Sequence, residues 1–256
     1  MEYDYFPGCS LKSYAKDLEK YSLAIAEKLG IKLRELEKWN CCGVMFPMAK
    51  DDIMRKIGAV RNLLRMKGDD LVIICPMCYN TMLRVHNHMK EDEDARSRVI
   101  NYLKDDEGFE NYPMSVKIHH FIEILAKTMR EKNFNLPPKG IKVAAYYGCT
   151  LLRPDEVAVD DPEDPSIMEE ILARFGFEPV EWWMRNECCG AYHSTVREEF
   201  VKERVKEIAE DAKANGAEII LTLCPLCHYN LKKQDVLPVE YMPKFIYENM
   251  GGMKNE

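Results

Sequence analysis

The chain has 256 residues, 46% of them hydrophobic and 31% charged, enough for one large α/β domain or two small ones and too apolar for a disordered or collagen-like chain. Lysine and arginine total 36 against 43 aspartates and glutamates, a net charge of -7, so a phosphate backbone is repelled overall and nucleic acid is not an expected partner. No apolar run approaches the roughly 20 residues that cross a bilayer, and Met1 to Pro7 carry neither a basic region nor a long apolar one, so a cytoplasmic location without a transmembrane segment is expected.

In chain order, residues 13–29 place Leu18, Tyr21, Ile25 and Leu29 at helical spacing and stop at Gly30, which predicts a first crossover helix. Ile31 to Leu36 predicts a strand and residues 51–67 a helix. Asp70-Leu71-Val72-Ile73-Ile74 reads as a buried parallel strand delivering Cys75, and Pro76 opens a helix. Ser115 to Ile118 leads into the apolar-periodic Phe121 to Leu125, and Asn133 to Gly140, with Pro137-Pro138, reads as a linker. Beyond it, Lys142 to Tyr147 predicts a strand with Gly148-Cys149 at its carboxyl end. Arg153 to Pro165, with three prolines among acids, predicts a surface excursion. Helix 166–175, strand Glu178 to Trp182, helix 196–214, strand 218–223 and a helix opened by Pro225 complete the scheme. Leu237 to Glu240 then leads into Phe245 to Tyr247. This alternation implies an α/β fold with parallel sheets and right-handed crossovers, in two units of residues 1–136 and 141–256.

The two units repeat each other. Ten cysteines fall into C-x31-C-C-x32-C-x2-C, from Cys9 through Cys41, Cys42 and Cys75 to Cys78, and C-x38-C-C-x34-C-x2-C, from Cys149 through Cys188, Cys189 and Cys224 to Cys227. Their flanks repeat too: Phe6-Pro7-Gly8-Cys9 answers Tyr146-Tyr147-Gly148-Cys149, Asn40-Cys41-Cys42-Gly43 answers Glu187-Cys188-Cys189-Gly190, and Cys75-Pro76-Met77-Cys78 answers Cys224-Pro225-Leu226-Cys227. An internal duplication is the simplest account. The groups are expected at strand carboxyl ends, the edge where open α/β sheets bind ligands.

In a reducing compartment such a pattern signals metal or redox chemistry before structural disulfides. Sulfur-only ligation suits zinc or an iron-sulfur cluster, and a thiol-disulfide or vicinal-disulfide site is a further reading. A four-thiolate zinc site or an ordinary cubane would strand one cysteine in each half. Five ligands to a polynuclear cluster, or four and an exchangeable thiol, account for all ten.

These motifs resemble the cysteine-rich CCG domains of the B subunit of heterodisulfide reductase. The likeness runs from Gly8-Cys9 to the last helix, and Tyr147-Gly148-Cys149-Thr150-Leu151-Leu152-Arg153-Pro154 and Cys224-Pro225-Leu226-Cys227-His228 carry it toward that subunit in particular. The resemblance implies two repeated parallel-sheet CCG domains, each holding a noncubane 4Fe-4S cluster on its five cysteines, with a disulfide substrate between the clusters. Homolytic cleavage of that disulfide, one electron from each cluster, would be the reaction. It also implies partners: an iron-sulfur subunit with ordinary 4Fe-4S cubanes, linked to a flavin subunit. An electron-transfer subunit relaying electrons to a non-disulfide acceptor is the alternative. Thr150 stands where methanogen subunits tend to carry His, which leaves their proton donor without a counterpart here.

Among other polar residues, His193, four positions after Cys189, is the candidate proton donor, and capping of the helix near Thr195 is its structural alternative. His228 directly follows the second C-P-x-C, where the first copy has Tyr79, which favours packing over ligation. His119 and His120, at a strand-to-helix junction, read as structural. Arg153 is either an anchor for an anionic substrate tail or a solvated loop arginine. Met45, Met48, Met77 and Met184 near the cysteine motifs read as gap-fillers or interface residues, and Trp182-Trp183 as packing or a subunit contact.

Overall fold

The computed structural model describes residues 2–44, 51 and 53–250, with Asp106 described by its backbone alone; Met45 and Met48 lie outside the described residues. The first half runs β1 (Glu2–Phe6), α1 (Lys16–Lys28), β2 (Lys32–Glu35), α2 (Met54–Leu64), β3 (Asp70–Ile73), α3 (Pro76–Glu91), α4 (Glu93–Glu107), β4 (Lys117–His120) and α5 (Phe121–Glu131). The second runs β5 (Lys142–Tyr146), α6 (Ile167–Arg174), β6 (Glu178–Pro179), α7 (Glu198–Ala214), β7 (Ile219–Thr222), α8 (Pro225–Leu231), β8 (Val239–Tyr241) and α9 (Met242–Asn249). Each half builds a four-stranded sheet, ordered β2-β1-β3-β4 and β6-β5-β7-β8, and every pairing is parallel.

This order positions the site. The chain leaves β1 for β2 on one side and returns to place β3 on the other, so the topological switch lies between β1 and β3, and again between β5 and β7. Ligands of open α/β sheets bind at such a crevice. Cys9 follows β1 and Cys75 follows β3; Cys149 follows β5 and Cys224 follows β7.

Helices cover the sheets, so central strands are buried on both faces and read as continuous apolar runs, as in Leu71, Val72 and Ile73. Asp4 in β1 is a buried charge in a central strand. Its buried carboxylate accepts hydrogen bonds from the Lys67 amide at 2.7 Å, the Gly68 amide at 2.8 Å and Arg34 Nε at 2.8 Å. Burial works against the charge, but these donors hold its pKa below the ordinary carboxylate value.

The halves share one apolar core. Tyr21 of α1 packs on Tyr247 of α9 with ring centres 5.3 Å apart, and Asn80 Nδ2 of α3 donates to the carbonyls of Thr150 and Arg153 at 3.0 and 2.8 Å. The Pro137-Pro138 segment is strapped to the end of α6: the Leu136 amide donates to the Arg174 carbonyl and the Lys139 amide to the Gly176 carbonyl, both at 2.8 Å. Gly176 has φ +85, and a Cβ there would lie 2.2 Å from the Pro137 carbonyl oxygen. Gly216 has a similar φ of +89 with nothing within 4 Å. Gly216→Ala should therefore cost only the left-handed strain, about 1 kcal/mol, and Gly176→Ala about 3 kcal/mol, because the strap must also move. Thermal midpoints measured side by side check this; equal losses would show that the strap yields freely.

Three expectations change. The strand expected to reach Trp182 ends at Pro179, which has no N–H to offer, and residues 183–186 turn instead into a 3-10 helix. The Asp211 carboxylate fixes that turn by accepting the amides of Trp183 and Met184, both at 2.9 Å. The helix expected over 51–67 spans Met54–Leu64: the Asp51 carboxylate accepts from the amides of Ile53 and Met54 and sets its start. Helix α4 has no counterpart in the expected elements, although Asp92, which caps it by accepting from the Ala95 amide, and left-handed Gly108 bracket it in sequence.

Candidate metal centres

Each site begins where a strand meets its glycine. Gly8 and Gly148 have φ +74 and +64, and a Cβ on either would sit 3.0 Å from a sulfur, Cys78 Sγ for Gly8 and Cys227 Sγ for Gly148. Glycine thus lets the strand-end backbone close onto the second cysteine of the C-P-x-C motif. Pro76 and Pro225 occupy the first turns of α3 and α8, with Cys75 and Cys224 extended before them as N-caps.

The vicinal pairs complete the sets. Adjacent side chains on extended backbone diverge, and the structure uses both directions: Cys42 and Cys189 are buried, while Cys41 and Cys188 are exposed. Cys42 Sγ lies 3.3 Å from Cys78 Sγ, and Cys189 Sγ lies 3.4 Å from Cys227 Sγ. Cys41 Sγ lies 3.8 Å from Cys9 Sγ. Left-handed Gly43 and Gly190 make the turn after each pair, and the Gly190 amide donates to Cys188 Sγ at 3.4 Å.

Different residues hold the two pairs in place, and sequence reasoning missed them. Asn40 and Asn62 exchange backbone-to-side-chain hydrogen bonds at 2.9 Å, and Asn40 Nδ2 also donates to the carbonyls of Cys41 and Gly58. In the second half the Tyr146 hydroxyl donates to the Glu187 carbonyl at 2.6 Å, and Arg204 Nε donates to the Cys188 carbonyl at 3.3 Å. A polar residue beside a cysteine motif was the available signal; long-range pairing such as Asn40 with Asn62 leaves no local one.

The thiols polarise one another. Hydrogen bonds from Cys41 and then Cys78 bring Cys42 down to about 4, against the cost of its burial. Cys41, sharing its proton with that thiolate, is pushed up, and so is Cys78 between Cys42 and Cys75. Cys149 plays the donor to Cys188, which falls to about 6 with help from the Gly190 amide and the charges of Arg204 and His193. Thiols this close cannot all ionise in a buried site unless cationic centres stand among them, so the donor set suits soft metal. Among the described residues no three His, Cys, Asp or Glu side chains gather around one point as a single ion requires. The sulfurs meet in pairs, Cys9 with Cys41 at 3.8 Å and Cys42 with Cys78 at 3.3 Å, separate attachment points of the kind a polynuclear centre would use.

Two tyrosines feel charge from the cysteines of both halves. Burial raises the pKa of the Tyr14 hydroxyl, and charge on Cys75 and Cys9 of one half and Cys224 of the other raises it further. Tyr192 likewise feels Cys149, Cys224 and Cys188 together with Cys42.

Of the remaining candidates, His193 ends a 3-10 turn, exposed and edge-on to Phe200 with ring centres 5.8 Å apart. Its carbonyl accepts from the amides of Val196 and Arg197 ahead of α7. His228 stacks on Tyr241 at 3.8 Å, and Tyr79 packs edge-on to His120 at 5.5 Å. The two halves thus keep one aromatic pair with its members exchanged. His120 is fully buried, contacts the Ile74 carbonyl and caps α5, and His119 pairs with Asp70 at 2.9 Å. Arg153 is exposed and paired with Glu163 at 3.1 Å. Trp182 is a core residue donating to the Ala145 carbonyl, Trp183 is exposed, and Met77 is buried.

Known proteins match the chain along both halves. The model of the cysteine-rich CCG domain matches residues 3–83 and 143–232, one copy in each half. A heterodisulfide reductase B-subunit-like protein of Archaeoglobus profundus is 30% identical over 242 residues, covering 89% of this chain and 79% of the relative. The chain belongs to the CCG-domain family, among proteins like the B subunit of heterodisulfide reductase. The 8-methylmenaquinol:fumarate reductase membrane anchor subunit of Wolinella succinogenes is 29% identical over 235 residues, 90% of this chain and 81% of that protein. Among solved structures, a hypothetical protein from Helicobacter pylori superposes with TM-score 0.76 at 14% identity, covering 99% of this chain and 49% of that one, which shows a shared fold. No helix among the described residues is long and apolar enough to cross a membrane.

Proposed function

We propose that this chain is the catalytic iron-sulfur subunit of a heterodisulfide reductase-like complex and reduces, or in reverse forms, a disulfide. The observation that carries the reading is the repeat of one sulfur contact, Cys42 to Cys78 at 3.3 Å and Cys189 to Cys227 at 3.4 Å, in two five-cysteine sets of matching order. Residues 1–136 would hold one cluster on Cys9, Cys41, Cys42, Cys75 and Cys78. Residues 141–256 would hold the other on Cys149, Cys188, Cys189, Cys224 and Cys227. Bound there, two noncubane 4Fe-4S clusters supply the one-electron steps that a two-electron disulfide reaction needs. The reaction consumes two electrons and two protons and yields two thiols. His193, whose charge is felt at Cys188, is proposed as one proton source, so His193→Gln should lower the maximal rate more than it weakens substrate binding. Electrons would arrive from an iron-sulfur subunit with ordinary cubanes and a flavin subunit.

Anaerobic purification with iron, sulfide and zinc analysis and EPR tests the reading. About eight irons per chain, with a cluster signal altered by thiols, is expected; about two zincs without sulfide would replace it by a zinc scaffold. The name of the Wolinella succinogenes relative favours a second reading, in which the clusters relay electrons to or from a quinol-type carrier. Eight irons with no response to any thiol or disulfide would select it.

A further inference from the structure

Asparagine is a poor helix former, because its side-chain amide competes for backbone groups, and a buried amide without partners is costly. Asn80 is nevertheless a buried residue of α3, two positions after Cys78. Its Nδ2 spends both hydrogens on the other half, donating to the carbonyls of Thr150 and Arg153 at 3.0 and 2.8 Å. We infer that Asn80 is a positioning residue: by tying the helix that carries Cys78 to the turn that carries Cys149, it fixes the spacing between the two metal centres. This rests on the disulfide reading above and deepens it. One disulfide, with sulfurs about 2 Å apart, can be served by two centres only if the gap between them is held.

Both ends of the link are stiff. At one end Cys75 caps α3 and its carbonyl accepts from the Tyr79 amide at 3.0 Å, so Asn80 continues the helical turn that carries Cys78. At the other, the Cys149 carbonyl accepts the Leu152 and Arg153 amides at 3.3 and 2.9 Å, and Leu151 and Leu152 are fully buried. That turn therefore moves as a unit with Cys149. Helices α1 with α9 and α5 with α6 also join the halves, through Tyr21 on Tyr247 and Arg130 Nε to Glu170 at 2.9 Å, but none of these four helices carries a cysteine.

The link is one-sided. Two positions after Cys227 stands Tyr229, which is 60% exposed and lines a cleft opposite Ser13 and Tyr14, in the segment that follows Cys9. At the cysteine ends the halves are thus bonded where Asn80 crosses and stand apart where Tyr229 faces Tyr14. Releasing Asn80 should loosen the spacing on the bonded side. Each five-cysteine set should stay intact, because its sulfur contacts lie within its own half.

The test uses the cluster-loaded full chain and Asn80→Leu, which keeps the volume but has no donor. Asn80→Ser, whose hydroxyl has one hydrogen for two carbonyls, carries the same test should the first variant fail to fold. Iron should stay at about eight per chain with both EPR signals present. The spin–spin interaction between the clusters, read by EPR when both are paramagnetic, should weaken or broaden. Turnover of 3,3'-dithiodipropionate with reduced methyl viologen as electron donor should fall about tenfold or more in maximal rate, with a smaller change in KM, since a misplacement of about 1 Å costs on the order of a hundredfold. A spin–spin interaction identical to that of the unsubstituted chain overturns the proposal whatever the rate does, and a changed interaction with an unchanged rate overturns it too. Loss of the second half's iron would also overturn it, making Asn80 a support for ligation by Cys149 alone. If the interaction changes while no disulfide or thiol is turned over or alters either signal, the spacing role of Asn80 stands and the disulfide reading falls.

Discussion

Cys42→Ser is expected to remove about half the iron and sulfide, from about eight irons per chain to about four, and to erase one of two EPR signals. Cys42 is buried, touches Cys78 at 3.3 Å and is held at about 4 by donated hydrogen bonds from Cys41 and Cys78. A serine hydroxyl neither ionises in this range nor offers a soft donor. Cys189→Ser should do the same to the other signal, since Cys189 makes the matching contact with Cys227 at 3.4 Å. Because the halves share one core, each variant should melt earlier yet remain folded. Loss of both signals from a chain with unchanged circular dichroism would show that the two sets form a single site.

Glu169→Gln should stabilise the protein at alkaline pH and leave it unchanged in acid. Glu169 lies on α6, and its carboxyl takes the Tyr147 hydroxyl on one oxygen while the other has no hydrogen bond. Arg185 approaches that second oxygen only to 3.8 Å, and the side chain is 16% exposed. Burial raises the pKa to about 7, beyond what Tyr147 and Arg185 recover. The folded value is thus above the unfolded 4.5, so the folding stability contributed by the protonated form is complete below pH 4.5 and is lost as pH rises through 7. The loss amounts to about 3 kcal/mol by pH 8, which glutamine, accepting from Tyr147 without a charge, should restore. Denaturant midpoints across pH 4 to 9 read the difference; parallel profiles for the two proteins would mean that Glu169 is ionised at no cost.

The duplication, the ten cysteines and the parallel α/β alternation were legible in sequence because each is local: a spacing, a proline at a helix start, a buried strand ending in cysteine. Strand ends such as Pro179 were less so, since whether a strand continues depends on a partner that sequence does not display, here the Asp211 carboxylate that draws Trp183 and Met184 into a turn. Tertiary structure alone decided which member of each vicinal pair turns inward, because Gly43 and Gly190 permit several turns and only packing against Cys78 or Cys227 selects one. It also decided that Tyr14 of one half and Pro225 of the other share a cleft. Residues 14 and 225 meet there because α1 and α9 pack across the halves, as Tyr21 on Tyr247 shows, and apolar burial between distant segments sets that docking without leaving any pattern in the local sequence.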